Sequence, residues 1–266
     1  MPKVSIGDAE LHYEIAGDGP PLMLVAGLSG LGAFWAKQVP VLSRHFKVVI
    51  HDHRGTGQST HSRIRYSVDQ MADNALRLMD ALKIDKAHYA GHSSGGAIGQ
   101  TIACTRPDRL QSLVLSATWP GKDAYFDRCF EARKSILAAL GLPGYLRSTN
   151  LFLYPPYWVS AHAADLDAAE KAAAGNQPAP EIIVSRIDAI MAHDRRAQLG
   201  GVKTPTLVIV AQDDIVTPLY QSQELARLIP GAKLHVVPRG GHFAPVIEPD
   251  LYNPTVVDFL RTQAGV

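Results

Sequence analysis

Short apolar runs bounded by glycine, proline or aspartate alternate along this chain with longer segments of helical periodicity. The runs are rich in Val, Ile and Leu without strict polar alternation, which is typical of parallel strands that are covered on both faces. They predict strands at residues 3–6, 10–15, 21–26, 46–51, 86–90, 111–116, 204–211 and 232–237. Apolar residues at helical spacing predict helices at 67–83, 95–105, 219–228 and 249–262. The sequence therefore predicts an α/β fold, in which helices flank a mostly parallel central sheet.

Residues 122–199 interrupt this alternation, because they carry no strand pattern and alternate helical patterns with loops rich in proline and aromatic residues. An alanine-rich helix is predicted around 161–174, followed by a loop at 175–180. We interpret 122–199 as an inserted helical cap on a core that is formed by residues 1–121 and 200–266.

The composition argues against several classes of protein. Apolar residues make up 46% of the chain and charged residues 19%, which excludes disorder over most of its length. Lys plus Arg (26) and Asp plus Glu (25) nearly balance, so we expect no nucleic-acid partner. The apolar runs are too short to span a bilayer and the N-terminus lacks a secretory pattern, so we expect no membrane partner and a cytoplasmic location. The two cysteines fit a reducing compartment and are too few for a thiolate zinc site.

A glycine-rich turn at residues 91–96 directly follows a predicted strand and directly precedes a helical pattern. A nucleophile on such a turn is held in strained backbone geometry, and small residues two positions before and after it permit the sharp reversal. Gly91 and Gly95 meet this requirement for Ser93, whereas the residue two before Ser94 is His92. The following helix would direct its free N–H groups and positive dipole end at an oxyanion over Ser93. We predict that Ser93 is a nucleophile; the alternative is a turn that only packs a helix on the sheet.

A serine hydroxyl needs a base to take its proton and an acid to orient that base. His242 is the best placed histidine, in a loop just beyond the last predicted strand. The loop after the preceding strand offers two acids, Asp213 and Asp214, and Asp123 is a fallback. Serine, acid and histidine then follow one another along the chain in the order that a strand-to-helix nucleophile motif predicts.

At this point the chain resembles the α/β-hydrolase superfamily across nearly its whole length. Further matching features are the loop at 27–30 after the third strand and the loop at 52–59 after the fourth, which Arg54 and Ser59 are expected to anchor. The family places its acid at the end of a G-x-x-D turn, often followed by x-x-T-P. This pattern selects Asp214 over Asp213, although Ala211 stands where glycine is usual.

The resemblance also implies an oxyanion hole and a reaction. The donors would be the N–H groups of Ser94 and Leu28, and Ala26 stands where the family usually has histidine. The implied chemistry is acyl transfer to water through an acyl-enzyme on Ser93. It needs no cofactor, and no metal is expected either, because His51 and His53 have no third ligand nearby.

Two cap segments, 125–133 and 151–158, are similar to those of the pyrimidine-utilisation D proteins, proposed aminoacrylate or carbamate hydrolases. The chain is also similar to enol-lactone hydrolases. We expect hydrolysis of a small to medium carboxylic ester or lactone. The alternatives are a C–N bond hydrolase of the aminoacrylate or carbamate type in pyrimidine degradation, and a ligand-binding, lyase or perhydrolase member of the same fold.

The predicted substrate-binding residues are Trp119, Phe126, Arg128, Phe130, Tyr154, Trp158 and Phe243. Their aromatic rings would suit an apolar acyl or aryl group, and Arg128, Arg133 or Arg147 could bind a substrate carboxylate. The alternative is that the rings pack the cap's own core and the arginines are solvated. We expect a small-molecule substrate as partner; a homodimer is compatible with the sequence, which does not determine the oligomeric state.

Overall fold

A computed structural model, which describes residues 2–173, 175 and 177–266, shows an eight-stranded sheet in the order β1-β2-β4-β3-β5-β6-β7-β8. The strands are β1 (Lys3–Ser5), β2 (Glu10–Ala16), β3 (Pro21–Val25), β4 (Lys47–His51), β5 (Ala87–His92), β6 (Leu110–Ser116), β7 (Thr206–Ala211) and β8 (Lys233–Val237). The pairs β1·β2 and β2·β4 are antiparallel, and every other pair is parallel. The predicted fold class is confirmed.

Successive residues of the central strands enter two different hydrophobic cores. In β3, Met23 and Val25 belong to one core, and Leu22 and Leu24 belong to the other. Side chains of a strand alternate between the two faces of a sheet, so burial on both faces removes the polar alternation from the sequence. This is why the strands could be predicted from continuous apolar runs.

The helices flank this sheet or lie in the long segment between β6 and β7. They are α1 (Val39–Leu42), α2 (Val68–Ala81), α3 (Ser94–Thr105), α4 (Ala124–Leu153), α5 (Pro156–Ala161), α6 (Ala163–Ala173), α7 (Pro180–Met191), α8 (Arg196–Leu199), α9 (Leu219–Leu228), α10 (Ala244–Ile247) and α11 (Pro249–Ala264). The helices predicted at 67–83, 95–105, 219–228 and 249–262 correspond to α2, α3, α9 and α11. Among the helices of the described ranges, none is long and apolar enough to cross a membrane.

Residues 122–199 contain α4 to α8. The Asp123 carboxylate caps α4 by accepting a hydrogen bond from the Phe126 N–H at 2.8 Å. Gly141 interrupts α4 with a φ of 65° and a ψ of −167°, which divides it into two stretches of different direction. The predicted alanine-rich helix corresponds to α6, while residues 174 and 176 of the predicted helix and loop lie outside the described residues.

Candidate active site

Ser93 lies between the end of β5 and the first residue of α3, with a φ of 54° and a ψ of −119°. This is a strained conformation for a residue with a Cβ atom. Close backbone packing surrounds it: a Cβ on Gly91 would lie 2.1 Å from the Gly95 carbonyl oxygen, and a Cβ on Gly95 would lie 2.1 Å from that of Val25. Both glycines are therefore required by contact with backbone atoms that cannot move aside.

Asp214 and His242 lie on loops that follow β7 and β8. The Nδ1 of His242 is 2.9 Å from Asp214 Oδ2, which also accepts a hydrogen bond from the Thr217 hydroxyl at 2.9 Å. Asp214 Oδ1 accepts from the N–H groups of Val216 at 2.8 Å and Thr217 at 3.0 Å. These hydrogen bonds fix a buried carboxylate, so its position orients the imidazole and directs Nε2 away from the acid.

The two other acids considered from the sequence have different contacts. Asp213 Oδ1 accepts a hydrogen bond from the Gly241 N–H at 2.8 Å and so holds the loop that carries His242. Asp123, besides capping α4, accepts a hydrogen bond from the Tyr220 hydroxyl at 2.6 Å. Asp214 is thus the acid that contacts the imidazole.

Ser93 and His242 line one cavity of about 140 Å³, together with Leu28, Phe130 and Phe243. Within the described residues, the Ser93 hydroxyl and the His242 ring are not hydrogen-bonded to each other. Contacts between a nucleophile and its base are often longer than a hydrogen bond before substrate binds. The structure thus brings Ser93 and His242 to the same cavity wall, with Asp214 behind the histidine.

The loop after β3 passes close to Ser93, since a Cβ on Gly27 would lie 3.1 Å from the Ser93 Cβ. A backbone hydrogen bond of 2.9 Å from the Gly30 N–H to the Gly27 carbonyl closes the turn that contains Leu28. The Gly30 carbonyl accepts a hydrogen bond from the Thr56 hydroxyl at 3.1 Å. Among the described residues, the N–H groups of Leu28 and Ser94 have no acceptor, so both donors are free.

The loop at 52–59, which supplies Thr56, is itself anchored. The Ser59 hydroxyl donates to the Asp52 carbonyl at 2.6 Å, and the Arg54 guanidinium donates to Ser62 and Asp8, each at 2.9 Å. The anchoring roles predicted for Arg54 and Ser59 are confirmed.

Arg186, a residue that the sequence analysis missed, extends from α7 to the Leu28 turn. Its guanidinium donates to the carbonyl groups of Leu28 and Arg54, each at 3.0 Å, and lies 3.1 Å from His53 Nδ1. Burial lowers the pKa of Arg186 to about 10, at which it still carries its charge at neutral pH. A sequence signal existed, because Arg186 lies on the buried face of α7 that also carries Ile182.

His92, which precedes the nucleophile, also lines the cavity. Its ring stacks on Phe34 with centroids 4.5 Å apart and lies 4.8 Å from the ring of His242. Burial and the nearby His242 hold the pKa of His92 well below its usual value, so this ring is neutral. His92 therefore adds a packing surface beside the base without adding a charge.

The structure separates the predicted substrate-binding residues into two groups. Phe130 and Phe243 line the cavity. The residues Trp119, Phe126, Arg128, Tyr154 and Trp158 are not among the described lining residues. Trp119 packs on Phe126 with ring centroids 4.6 Å apart, and Tyr154 stacks on Trp158 at 4.4 Å. Arg128 is exposed and donates to the Ala124 carbonyl of its own helix.

No group of three or more His, Cys, Asp or Glu side chains that could hold a metal ion occurs within the part of the chain that the structure describes. His51 and His53 stack with ring centroids 5.2 Å apart. Burial lowers the pKa of His51 to about 4 and lowers that of His53 well below its usual value. These two rings form a neutral stacked pair.

The sheet order, the strained serine turn and the acid–histidine pair after the last two strands define the class of protein. The chain belongs to the α/β hydrolase fold family, whose match covers residues 20–249. It is 38% identical to "Putative carbamate hydrolase RutD" of Azorhizobium caulinodans, over 97% of this chain and 98% of that protein. It is 39% identical to the protein of the same name in Caulobacter sp. (strain K31), over 96% of both.

Among solved structures, the enol-lactonase from Burkholderia xenovorans LB400 superposes with a TM-score of 0.89 at 29% identity, covering 97% of this chain and 99% of that one. A hydrolase from Pseudomonas aeruginosa PA01 superposes with a TM-score of 0.84 at 28% identity, covering 97% of both. The resemblance to the α/β-hydrolase superfamily, and the similarity to both groups named from the cap, are confirmed.

Proposed function

We propose that this protein is a serine hydrolase of small carbonyl compounds of the carbamate type, in which the carbonyl carbon is bonded to nitrogen. The observation that carries the proposal is the placement of Ser93 and the Asp214-bound His242 on one small cavity. The names of relatives that are 38–39% identical over nearly the full chain favour C–N cleavage over the ester or lactone cleavage that the sequence analysis placed first.

In the proposed reaction, Ser93 Oγ attacks the carbonyl carbon while His242 Nε2 takes the hydroxyl proton. Asp214 accepts the hydrogen bond from Nδ1–H and stabilises the imidazolium that forms. The free N–H groups of Leu28 and Ser94 stabilise the oxyanion of the tetrahedral intermediate.

The imidazolium of His242 then donates its proton to the leaving nitrogen, because an amine departs only when it is protonated. The C–N bond breaks and an acyl group remains on Ser93. Water attacks this group with His242 as base, the Ser93 oxygen takes back the proton, and the acid product leaves. No further reagent is needed.

The size of the cavity supports a small substrate. Its volume of about 140 Å³ is close to that of the roughly 150 Å³ apolar cavity that accommodates benzene in another protein. An acyl group of about six non-hydrogen atoms would fill it, whereas a long acyl chain would not fit.

Cleavage of a small ester or lactone is the second candidate. The specific observation in its favour is the superposition on an enol-lactonase over nearly the whole of both chains. The same residues would act, with His242 donating its proton to an alkoxide instead of an amine.

The test compares kcat/KM for small carbamate esters and primary amides with kcat/KM for p-nitrophenyl acetate and γ-butyrolactone. The mass of the adduct trapped on Ser93 identifies the bond cleaved, since a carbamate ester that loses its amine leaves an alkoxycarbonyl group and one that loses its alcohol leaves a carbamoyl group. We expect an alkoxycarbonyl adduct, and loss of turnover by at least about 10³-fold in Ser93→Ala.

Hydrolysis of p-nitrophenyl acetate and γ-butyrolactone without hydrolysis of the carbamate esters or amides would select the second candidate, the ester or lactone hydrolase. Failure of both hydrolysis and fluorophosphonate labelling of Ser93 would overturn both candidates. Ligand binding that persists in Ser93→Ala, without turnover by the unmodified protein, would instead indicate a binding protein.

A further inference from the structure

Arg133 in α4 lines the same cavity as Ser93 and is only 5% exposed. Its Nη2 donates to the Tyr145 hydroxyl at 3.1 Å and to the Thr149 hydroxyl at 3.4 Å, and both acceptors are neutral groups. Its Nε is buried without a hydrogen-bond partner. No carboxylate of the described residues forms a salt bridge with Arg133. The nearby acids Glu131 and Asp188 pair with Lys134 instead.

Aromatic rings hold this guanidinium in place. The Arg133 Cζ lies 5.3 Å from the ring centroid of Phe130, 5.4 Å from that of Tyr145 and 5.7 Å from that of Phe152. Such cation–π contacts stabilise the charge partially, but a ring face accepts none of the directional N–H hydrogen bonds of the guanidinium edge. The side chain is therefore fixed while part of its donor capacity is unused.

The cavity contains no compensating negative charge. Its charged lining residues, within the described part of the chain, are Arg133 and Arg186, and no Asp or Glu lines it. Arg186 already donates to Leu28, Arg54 and His53. A buried cation without a counter-ion is costly. The Nε atoms of both arginines lack a partner, but Nη1 and Nη2 of Arg186 both donate to carbonyl groups, whereas among the described hydrogen bonds Arg133 donates through Nη2 alone.

We propose that Arg133 determines substrate specificity by binding a carboxylate of the substrate while the reacting carbonyl lies at Ser93. A carboxylate would supply the missing charge and acceptors, and its planar shape matches a guanidinium edge. The preferred substrates are then small monoanions that carry a carboxylate besides the bond to be cleaved. This inference rests on the proposed role of Ser93, and it holds for either leaving group.

The experiment compares mono-p-nitrophenyl succinate, which carries a carboxylate, with neutral p-nitrophenyl butyrate. The unmodified protein should have the higher kcat/KM for the succinate ester. Arg133→Met should lower kcat/KM for that ester by about 10- to 100-fold, the range expected from losing hydrogen bonds between charged groups, and change the value for the butyrate by less than about threefold. Arg128→Met, an exposed arginine on the same helix, is the matched control and should change neither.

A binding measurement separates failure of this inference from failure of the proposed hydrolysis. Malonate should bind the unmodified protein in calorimetry, and Arg133→Met should weaken that binding by at least about 10-fold, whether or not any ester is cleaved. If Arg133→Met does not fold, Arg133→Gln removes the charge, keeps a donor for Tyr145, and should give the same results. Equal losses for the two esters, or unchanged malonate binding, would overturn the role of Arg133.

Discussion

At the residue scale, the site depends on positions where the backbone leaves no space for a side chain. Ser93 is one of three non-glycine residues with positive φ in the described chain, and it occupies the turn that presents its hydroxyl to the cavity. The glycines around it do not provide flexibility. They allow β5, α3 and the end of β3 to approach within backbone contact.

Substitution of Gly91 tests this requirement. In Gly91→Ala the new methyl group would meet the Gly95 carbonyl oxygen at 2.1 Å, so we expect the free energy of unfolding to fall by about 2–3 kcal/mol and activity to be lost. Urea denaturation measures the first effect. Gly200→Ala is the control, because a Cβ there meets no atom within 4 Å, and its stability should change by less than about 1 kcal/mol. Equal stability of the two variants would contradict the close packing of the turn.

The two adjacent acids should differ sharply in kcat/KM. Asp214→Asn disturbs the carboxylate that fixes the imidazole tautomer, so we expect a loss of about 10³–10⁴-fold. Asp213→Asn keeps an acceptor for the Gly241 N–H and should cost less than about 10-fold. The reverse order would exchange the roles of the two residues.

At the element scale, the strands were predictable and the long-range contacts of the site were not. All eight strands lie within two residues of their predicted ends, because an apolar run records burial locally. Arg133 and Arg186 lie on buried helix faces and could have been noticed as anomalies. The partners of these arginines could not be predicted, since Leu28 is 158 positions from Arg186 in the sequence.

The aromatic residues of 122–199 show the same limit. The sequence shows that they are clustered, but only the packing of the folded chain determines that Phe130 lines the cavity and Trp158 does not.

Arg186 should act on catalysis through the turn that it holds. In Arg186→Met the carbonyl of Leu28 loses its donor, so we expect kcat to fall by about 10- to 100-fold with KM changed less than about threefold. Steady-state kinetics on the best substrate checks this division. Glu181→Gln, an exposed change in the same helix, should have no effect. A rise in KM at unchanged kcat would show that Arg186 serves substrate binding instead.

At the scale of the whole molecule, buried histidines connect stability to pH. Burial lowers the pKa of His51 and of His193 to about 4 each, and the pKa values of His53 and His92 are lowered in the same way. Between pH 6.5 and about 4 the unfolded chain binds protons that the folded chain does not. The folded state is therefore fully favoured above pH 6.5 and loses stability as the pH falls toward 4.

Chemical denaturation between pH 8 and pH 4 should show this decrease, with roughly 3 kcal/mol lost for each of His51 and His193 at the acid end of the range. His193→Gln should reduce the slope of the free energy of unfolding against pH by roughly 1 kcal/mol per pH unit in that interval. The exposed His61→Gln should leave the slope unchanged. If the free energy of unfolding had the same slope against pH in the unmodified protein, His193→Gln and His61→Gln, His193 would be excluded as a source of the acid sensitivity.

The hydrogen bond between Arg186 and Leu28 also connects the opening of the cavity to its catalytic activity. Arg186 lies on α7, which also forms one wall of the cavity through Ile183. The Arg186 guanidinium donates to the carbonyl of Leu28, the residue whose N–H would donate to the oxyanion. If α7 moved outward to admit a substrate, this hydrogen bond would break. The open cavity would then lack a correctly placed Leu28 N–H and would be inactive. Substrate entry and bond cleavage would then require different positions of α7.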